Sequence, residues 1–136
     1  MRVILDTNVF VSGVFFGGIP GRIIEAWRHA RIQLVLSAEI LDEYRRVGQA
    51  LAAQHPGVDL GPFLGLLMVH AEIVEAPPLA DRVALDPDDD KFLACAIAAG
   101  PAIVVSGDKD LLNQTGWQGI RVLRPRQFVD EFLSQQ

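Results

Sequence analysis

Three short apolar runs, each closed by a polar or acidic residue, constrain the fold of this chain more than any other feature. They are Val3-Ile4-Leu5 before Asp6, Leu34-Val35-Leu36 before Ser37, and Ile103-Val104-Val105 before Ser106-Gly107-Asp108; Ile120 to Leu123 is a fourth candidate. Runs rich in β-branched residues, without polar alternation, mark strands covered on both faces, as in a parallel sheet. The stretches Pro20 to Ala30, Ala38 to Leu51 and Asp89 to Ala99 carry apolar residues at helical spacing instead. Strand and helix patterns in turn predict an α/β domain with a central parallel sheet. Gly17-Gly18-Ile19-Pro20-Gly21 reads as a loop into a helix, Ser37 as a helix cap, Gly100-Pro101 as a stop and Pro77-Pro78 as a break. Pro62 to Ala71 reads as a short apolar helix and Ile73-Val74 as a brief strand.

A length of 136 residues, 50% hydrophobic and 21% charged, suits one domain spanning 1–136. A single cysteine, Cys95, excludes an internal disulfide, and His29, His55 and His70 offer no zinc spacing. No apolar run reaches the roughly 20 residues of a membrane helix, and Arg2 and Asp6 come too early for a signal peptide, so a cytoplasmic protein is expected. The net charge of −5 argues against binding nucleic acid through a basic surface. That acidity is local, however: residues 81 to 90 hold five acids and one base.

In a parallel α/β sheet functional groups gather at the carboxyl ends of the strands. Asp6 and Asp108 stand at two such ends, although either alone would also serve as a helix cap. In the helix after Ser37, the residues Ile40, Leu41, Tyr44 and Val47 share one face, and Glu43, at about 90° from its centre, is the acid nearest the buried side. A surface ion pair is the competing reading of Glu43. The cluster Asp86-Pro87-Asp88-Asp89-Asp90 exceeds what capping the next helix requires. Asp89 precedes Phe92 and Leu93 by three and four residues and so points with them to the core, with Asp90 and Asp86 in reserve. If Asp6, Glu43, Asp89 and Asp108 converge, their repulsion calls for a counter-charge. Oxygen ligands without His or Cys favour Mg²⁺ or Mn²⁺.

These residues resemble the PIN domain, and more closely the VapC-like toxin components of toxin–antitoxin systems. The matching pieces are Val-Ile-Leu-Asp-Thr-Asn-Val at 3 to 9, Ser37 with Glu43 six residues on, Asp-Pro-Asp-Asp-Asp-Lys-Phe-Leu-Ala-Cys-Ala at 86 to 96, and Val-Val-Ser-Gly-Asp-Lys-Asp-Leu at 104 to 111. The resemblance implies a Rossmann-like three-layer α/β/α sandwich in which Asp6, Glu43, Asp89 and Asp108 bind Mg²⁺ or Mn²⁺ and the enzyme hydrolyses RNA phosphodiester bonds. It also implies a protein antitoxin, and a homodimer is expected. Thr7, Asn8 and Ser106 match polar positions that support the first and last acids in the family. Ser106-Gly107 departs from the threonine and basic residue common there. Arg45, Arg46, Lys91 and Lys109 lie within three residues of a proposed acid, where they would reach RNA phosphates.

Two other classes compete. A catalytically silent PIN-like module would bind RNA or protein without turnover. A phosphotransfer protein would use Asp6 as nucleophile, but the haloacid-dehalogenase type needs a second Asp where Asn8 stands. Trp27, at helical spacing with Ile23 and Ile24, is expected in the core, as is Cys95, and Trp117 is expected in the core or as a loop anchor. Leu64, Leu67 and Met68 form a possible exposed stripe for a partner.

Overall fold

The computed structural model describes residues 1–134, so Gln135 and Gln136, the last two residues of the expected domain, lie outside the described residues. Five strands, β1 (Arg2–Leu5), β2 (Gln33–Leu36), β3 (Glu72–Ile73), β4 (Ile103–Val105) and β5 (Arg121–Leu123), form one parallel sheet in the order β3-β2-β1-β4-β5. Val3 faces Ile103 and Leu34 across the ladders, and Leu5 faces Val105. Consecutive strand residues point to opposite faces, yet Val3, Ile4 and Leu5 are all buried, as are Leu34, Val35 and Leu36. Both faces of the sheet are therefore covered, as the apolar runs predict, and the molecule is the three-layer α/β/α sandwich that the resemblance implies.

The helices are α1 (Thr7–Phe15), α2 (Gly18–Arg28), α3 (Ala38–Gln54), α4 (Gly61–His70), α5 (Asp90–Ala99) and the single turns α6 (Lys109–Leu112) and α7 (Pro125–Phe128). The last of these runs into a π-turn over Val129–Leu133. Among the described residues no single helix is long and apolar enough to cross a membrane. α1 has no counterpart in the sequence reading, because Thr7 to Phe15 is apolar on most sides and shows no amphipathic stripe. It meets α2 at 90°. Gly17 and Gly18 make that corner with φ of +74° and +65°, a conformation that residues with a Cβ resist. Gly13 lets the two helices touch: a Cβ there would stand 2.5 Å from Ile24 Cγ1 and 2.8 Å from the Pro20 carbonyl oxygen.

Other expectations need correction by a residue or a face. The helix expected from Asp89 begins at Asp90, after a 3₁₀ turn over Pro87–Asp89. The brief strand expected at Ile73-Val74 is Glu72–Ile73. Leu64, Leu67 and Met68 do not form one exposed stripe: Leu67 is fully buried and Leu64 half-buried, while Met68 is exposed beside Val69. Ten residues wind through nearly three turns, so a helix that is apolar all round must give Leu67 to the core and leave Met68, about 100° away, outside it. Trp27 and Cys95 are core residues, and burial pushes the Cys95 thiol up to about 12. Trp117 is half-buried in a 3₁₀ turn.

β1 is the centre of the sheet, with β2 on one side and β4 on the other. The chain winds outward in opposite directions from these neighbours, so a crevice opens at the carboxyl ends of β1 and β4. Tyr44 anchors α3 over this point. Its ring stacks on Phe10 at 4.3 Å and 3°, and its hydroxyl donates to the Leu5 carbonyl, one residue before Asp6.

Candidate metal centre

Asp6 leaves the end of β1 into the crevice and is 6% exposed. It occupies the N-cap position of α1, but its carboxylate forms no cap hydrogen bond. Its Oδ2 accepts from the Ser106 hydroxyl at 2.7 Å. Burial raises the Asp6 pKa; the Ser106 hydroxyl and the Thr7 amide oppose the rise, while the charges of Asp108 and Glu43 add to it. The same Ser106 oxygen accepts from the Asp108 amide at 2.9 Å. One buried hydroxyl thus joins the strand-end acids of β1 and β4.

Asp108 does act as a cap. Its Oδ1 accepts from the Asp110 amide at 3.0 Å and starts α6. Asp89, at the end of the Pro87–Asp89 turn, is aimed at it from the other side of the crevice. Single carboxylate oxygens of Asp89, Asp108 and Asp110 lie within 4.8 Å of one another. Asp89 Oδ2 is buried and has no hydrogen-bond partner among the described residues. Two ionised carboxylates offer only acceptors to each other, so such an oxygen stays unsatisfied unless a proton or a cation joins it. Burial, followed by the neighbouring carboxylates of Asp108, Asp6 and Asp86, pushes the Asp89 pKa up to about 7.

Glu43 closes the crevice from α3. Its Oε1 accepts from Thr7 Oγ1 at 2.5 Å and its Oε2 pairs with the Lys91 ammonium. The pair is mostly buried, with 19% and 17% of the side chains exposed, so Glu43 is not the edge residue of a surface ion pair. Glu43 and Asp6 thus flank the carboxylate triplet rather than belong to it.

Other candidates are placed away from the three clustered carboxylates. Both Asp90 oxygens accept backbone amides, Val83 at 3.0 Å and Ala84 at 2.7 Å, and so tie the preceding loop to α5. The rotation of 100° between neighbouring helical residues sends Asp90 to the loop and leaves Asp89 facing the acids. Asp86 is exposed and caps the Pro87–Asp89 turn through the Asp88 amide at 3.0 Å. Ser37 is buried and caps α3 at Ile40, which orients the helix carrying Glu43. Asn8 is exposed. Asp110 was not anticipated; an acid in the first turn of a helix is favourable without any site, so its position two residues after Asp108 carried little signal.

This donor set fits a hard divalent cation: carboxylate oxygens of three aspartates close together, no sulfur or imidazole in the group, and a buried unsatisfied oxygen on one of the three residues, Asp89. A family model described as PIN domain matches residues 2–110. The chain belongs to the PIN-domain family. A search of curated proteins finds no match. PIN domains are generally nucleases that use divalent metals, and the matched span runs from β1 to Asp110, the last acid of this site. The acids of this PIN domain lie at the switch point of a five-stranded parallel sheet, where a doubly wound fold places its chemistry.

Proposed function

We propose that this PIN domain is a ribonuclease that hydrolyses RNA phosphodiester bonds with Mg²⁺ or Mn²⁺. The observation that carries the reading is that Asp89, whose Oδ2 is buried without a partner among the described residues, also brings a carboxylate oxygen within 4.8 Å of those of Asp108 and Asp110. Asp89, Asp108 and Asp110 would hold the cation, with Asp6 and Glu43 at its edge. When bound, such a cation lowers the pKa of a nearby water and stabilises charge developing on the phosphate oxygens.

The remaining work falls to the chain's own residues. Ser106 keeps Asp6 oriented by donating to its Oδ2. Thr7 and Lys91 hold Glu43 at the edge of the site, one on each of its carboxylate oxygens. Lys91 also supplies a positive charge where an RNA phosphate would enter. The family resemblance supports a further reading as the toxin of a cytoplasmic toxin–antitoxin pair, restrained by an antitoxin and working as a homodimer.

Cleavage of a mixed RNA by the purified chain in Mg²⁺ or Mn²⁺, beside Asp6→Asn and Asp89→Asn, tests the nuclease reading. Loss of cleavage in both variants with an unchanged circular dichroism spectrum is expected. Calorimetric Mn²⁺ titration without cleavage would identify a silent metal-binding module instead. Growth arrest on expression, dependent on Asp89, is the corresponding test of the toxin role.

A further inference from the structure

A cavity of 510 Å³ opens beside the acids, between α3, the segment from Ala76 to Arg82 and the start of α5. Lys91 links it to the candidate metal centre, since this residue lines the cavity and pairs with Glu43. On α3, Glu39, Asp42 and Arg46 recur at intervals of three and four and form a stripe along its wall, one step around the helix from Glu43.

The lining has two kinds of surface. Pro78, Leu79 and Pro87 give apolar walls, and Arg46, Arg82 and Lys91 bring three cations. The acids differ in what they leave free. Asp90 is occupied by the amides of Val83 and Ala84, and Asp42 lies 3.9 Å from Arg46 in an exposed pair that either partner gives up at little cost. Glu39 and Asp88 are exposed at the cavity.

A volume of this size takes a small molecule or one nucleotide unit of a strand. Apolar walls suit the face of an unstacked base, and flanking cations suit the phosphates on either side of it. Free carboxylates at the edge accept hydrogen bonds only, so they select bases by their donors. Guanine presents an adjacent imino and amino donor to a carboxylate, whereas uracil presents one imino donor between two carbonyl acceptors.

We propose that this cavity seats a nucleotide of the RNA strand beside the cleaved bond and prefers guanine to uracil through Glu39 and Asp88, with Arg46 and Arg82 on the flanking phosphates. The proposal rests on the nuclease reading for the strand that enters it, and its test is a binding measurement that does not require turnover. Arg46, Arg82 and Glu39 are exposed, so variants there leave the packing of the fold intact.

The full-length Asp89→Asn protein is titrated into fluorescein-labelled single-stranded 12-mers, one all uridine and one alternating guanosine and uridine, with anisotropy as the readout. The expected result is about tenfold tighter binding of the guanosine-containing RNA, a difference abolished by Glu39→Gln with Asp88→Asn. Arg46→Ala with Arg82→Ala is expected to weaken both RNAs about tenfold and to steepen the loss less with salt. In the active chain the same arginine pair is expected to raise KM. Equal affinity for the two RNAs, or affinity unmoved by the arginine variants, overturns the proposal. Cleavage that depends on Asp89 but ignores the cavity variants removes the cavity and leaves the nuclease. The expected binding pattern without cleavage by the wild type removes the nuclease and leaves the cavity.

Discussion

The metal-free protein is expected to lose stability as pH rises from about 4 to about 7, and a divalent cation is expected to restore it only in the upper part of that range. The Asp89 carboxyl titrates at 3.8 ordinarily and at about 7 in the folded chain. Between these values the native state holds a proton that the unfolded chain has released. Stability therefore falls with rising pH across this window and levels off above it. Each pKa unit corresponds to about 1.4 kcal/mol, so a fully dry carboxyl would lose about 4 kcal/mol over the window. Asp89 is partly exposed, and screening by water brings the expected loss to about 1–2 kcal/mol. Asp6, raised in the same direction by burial, adds a contribution of the same sign.

About two-thirds of that window lies above pH 5, and for a chain of 136 residues the unfolding entropy is about 0.3 kcal/mol/K, so the melting temperature should fall by about 2–4 °C between pH 5 and pH 8 in EDTA. Mn²⁺ at about a hundred times its dissociation constant would add about 2.7 kcal/mol at pH 8. At pH 5 the proton on Asp89 competes for the same oxygen and the cation effect should be small. Circular dichroism melts at the two pH values, with EDTA or Mn²⁺, measure all four conditions. Asp89→Asn should flatten the pH dependence and remove most of the cation effect. A wild-type melting temperature that is flat or rising with pH in EDTA would refute the electrostatic account, as would equal stabilisation by Mn²⁺ at pH 5 and pH 8.

Lys91→Met removes a cation from the edge of the site and should tighten Mn²⁺ binding about tenfold by calorimetry; weaker binding would mean that Lys91 mainly organises Glu43. Ser106→Ala deprives Asp6 of its hydroxyl donor and the Asp108 amide of its acceptor, and should cost about 1–3 kcal/mol in urea unfolding, more at pH 8 than at pH 5. Gly13→Ala should destabilise by about 1–3 kcal/mol because the Pro20 carbonyl cannot withdraw from the new methyl group. Gly65→Ala, in the exposed part of α4 with open space around it, should instead gain about 0.5–1 kcal/mol in the same measurement.

What was legible in the sequence followed from strong local patterns. The apolar runs before Asp6, Ser37 and Ser106 located β1, β2 and β4, because a strand buried on both faces has no polar alternation to blur it. Helical phase put Glu43 at the edge of the buried face of α3 and set Asp89 apart from Asp90, two inferences of one rotation each. The α1 helix escaped because an element buried nearly all round shows no period, and Asp110 because acids in a first helical turn are common. The stripe suggested by Leu64, Leu67 and Met68 failed for the same reason: with apolar residues on every side, sequence does not say which side the rest of the protein covers. The 510 Å³ cavity depends on where the Ala76 to Arg82 segment lies against α3, a tertiary relation with no local signature.

The acids of this crevice divide by what the protein gives them, and that division explains why the fold tolerates them. Asp6 has Ser106, Glu43 has Thr7 and Lys91, Asp108 has an amide of α6, and Asp90 has two amides of its own loop. Each of these donors satisfies an oxygen of its carboxylate. Asp89 Oδ2 has none among the described residues, although it is buried and lies among like charges. A structural carboxylate in that position would be expected to find a donor or to be exposed, since an unsatisfied buried charge is costly. The fold supplies the donors one atom short, at the one place where strands diverge and a ligand can enter. An oxygen left unpaired there costs stability in the empty protein and lowers the cost of binding a cation by the same interaction, so the pH-dependent loss of stability and the cation-dependent gain should vanish together in Asp89→Asn.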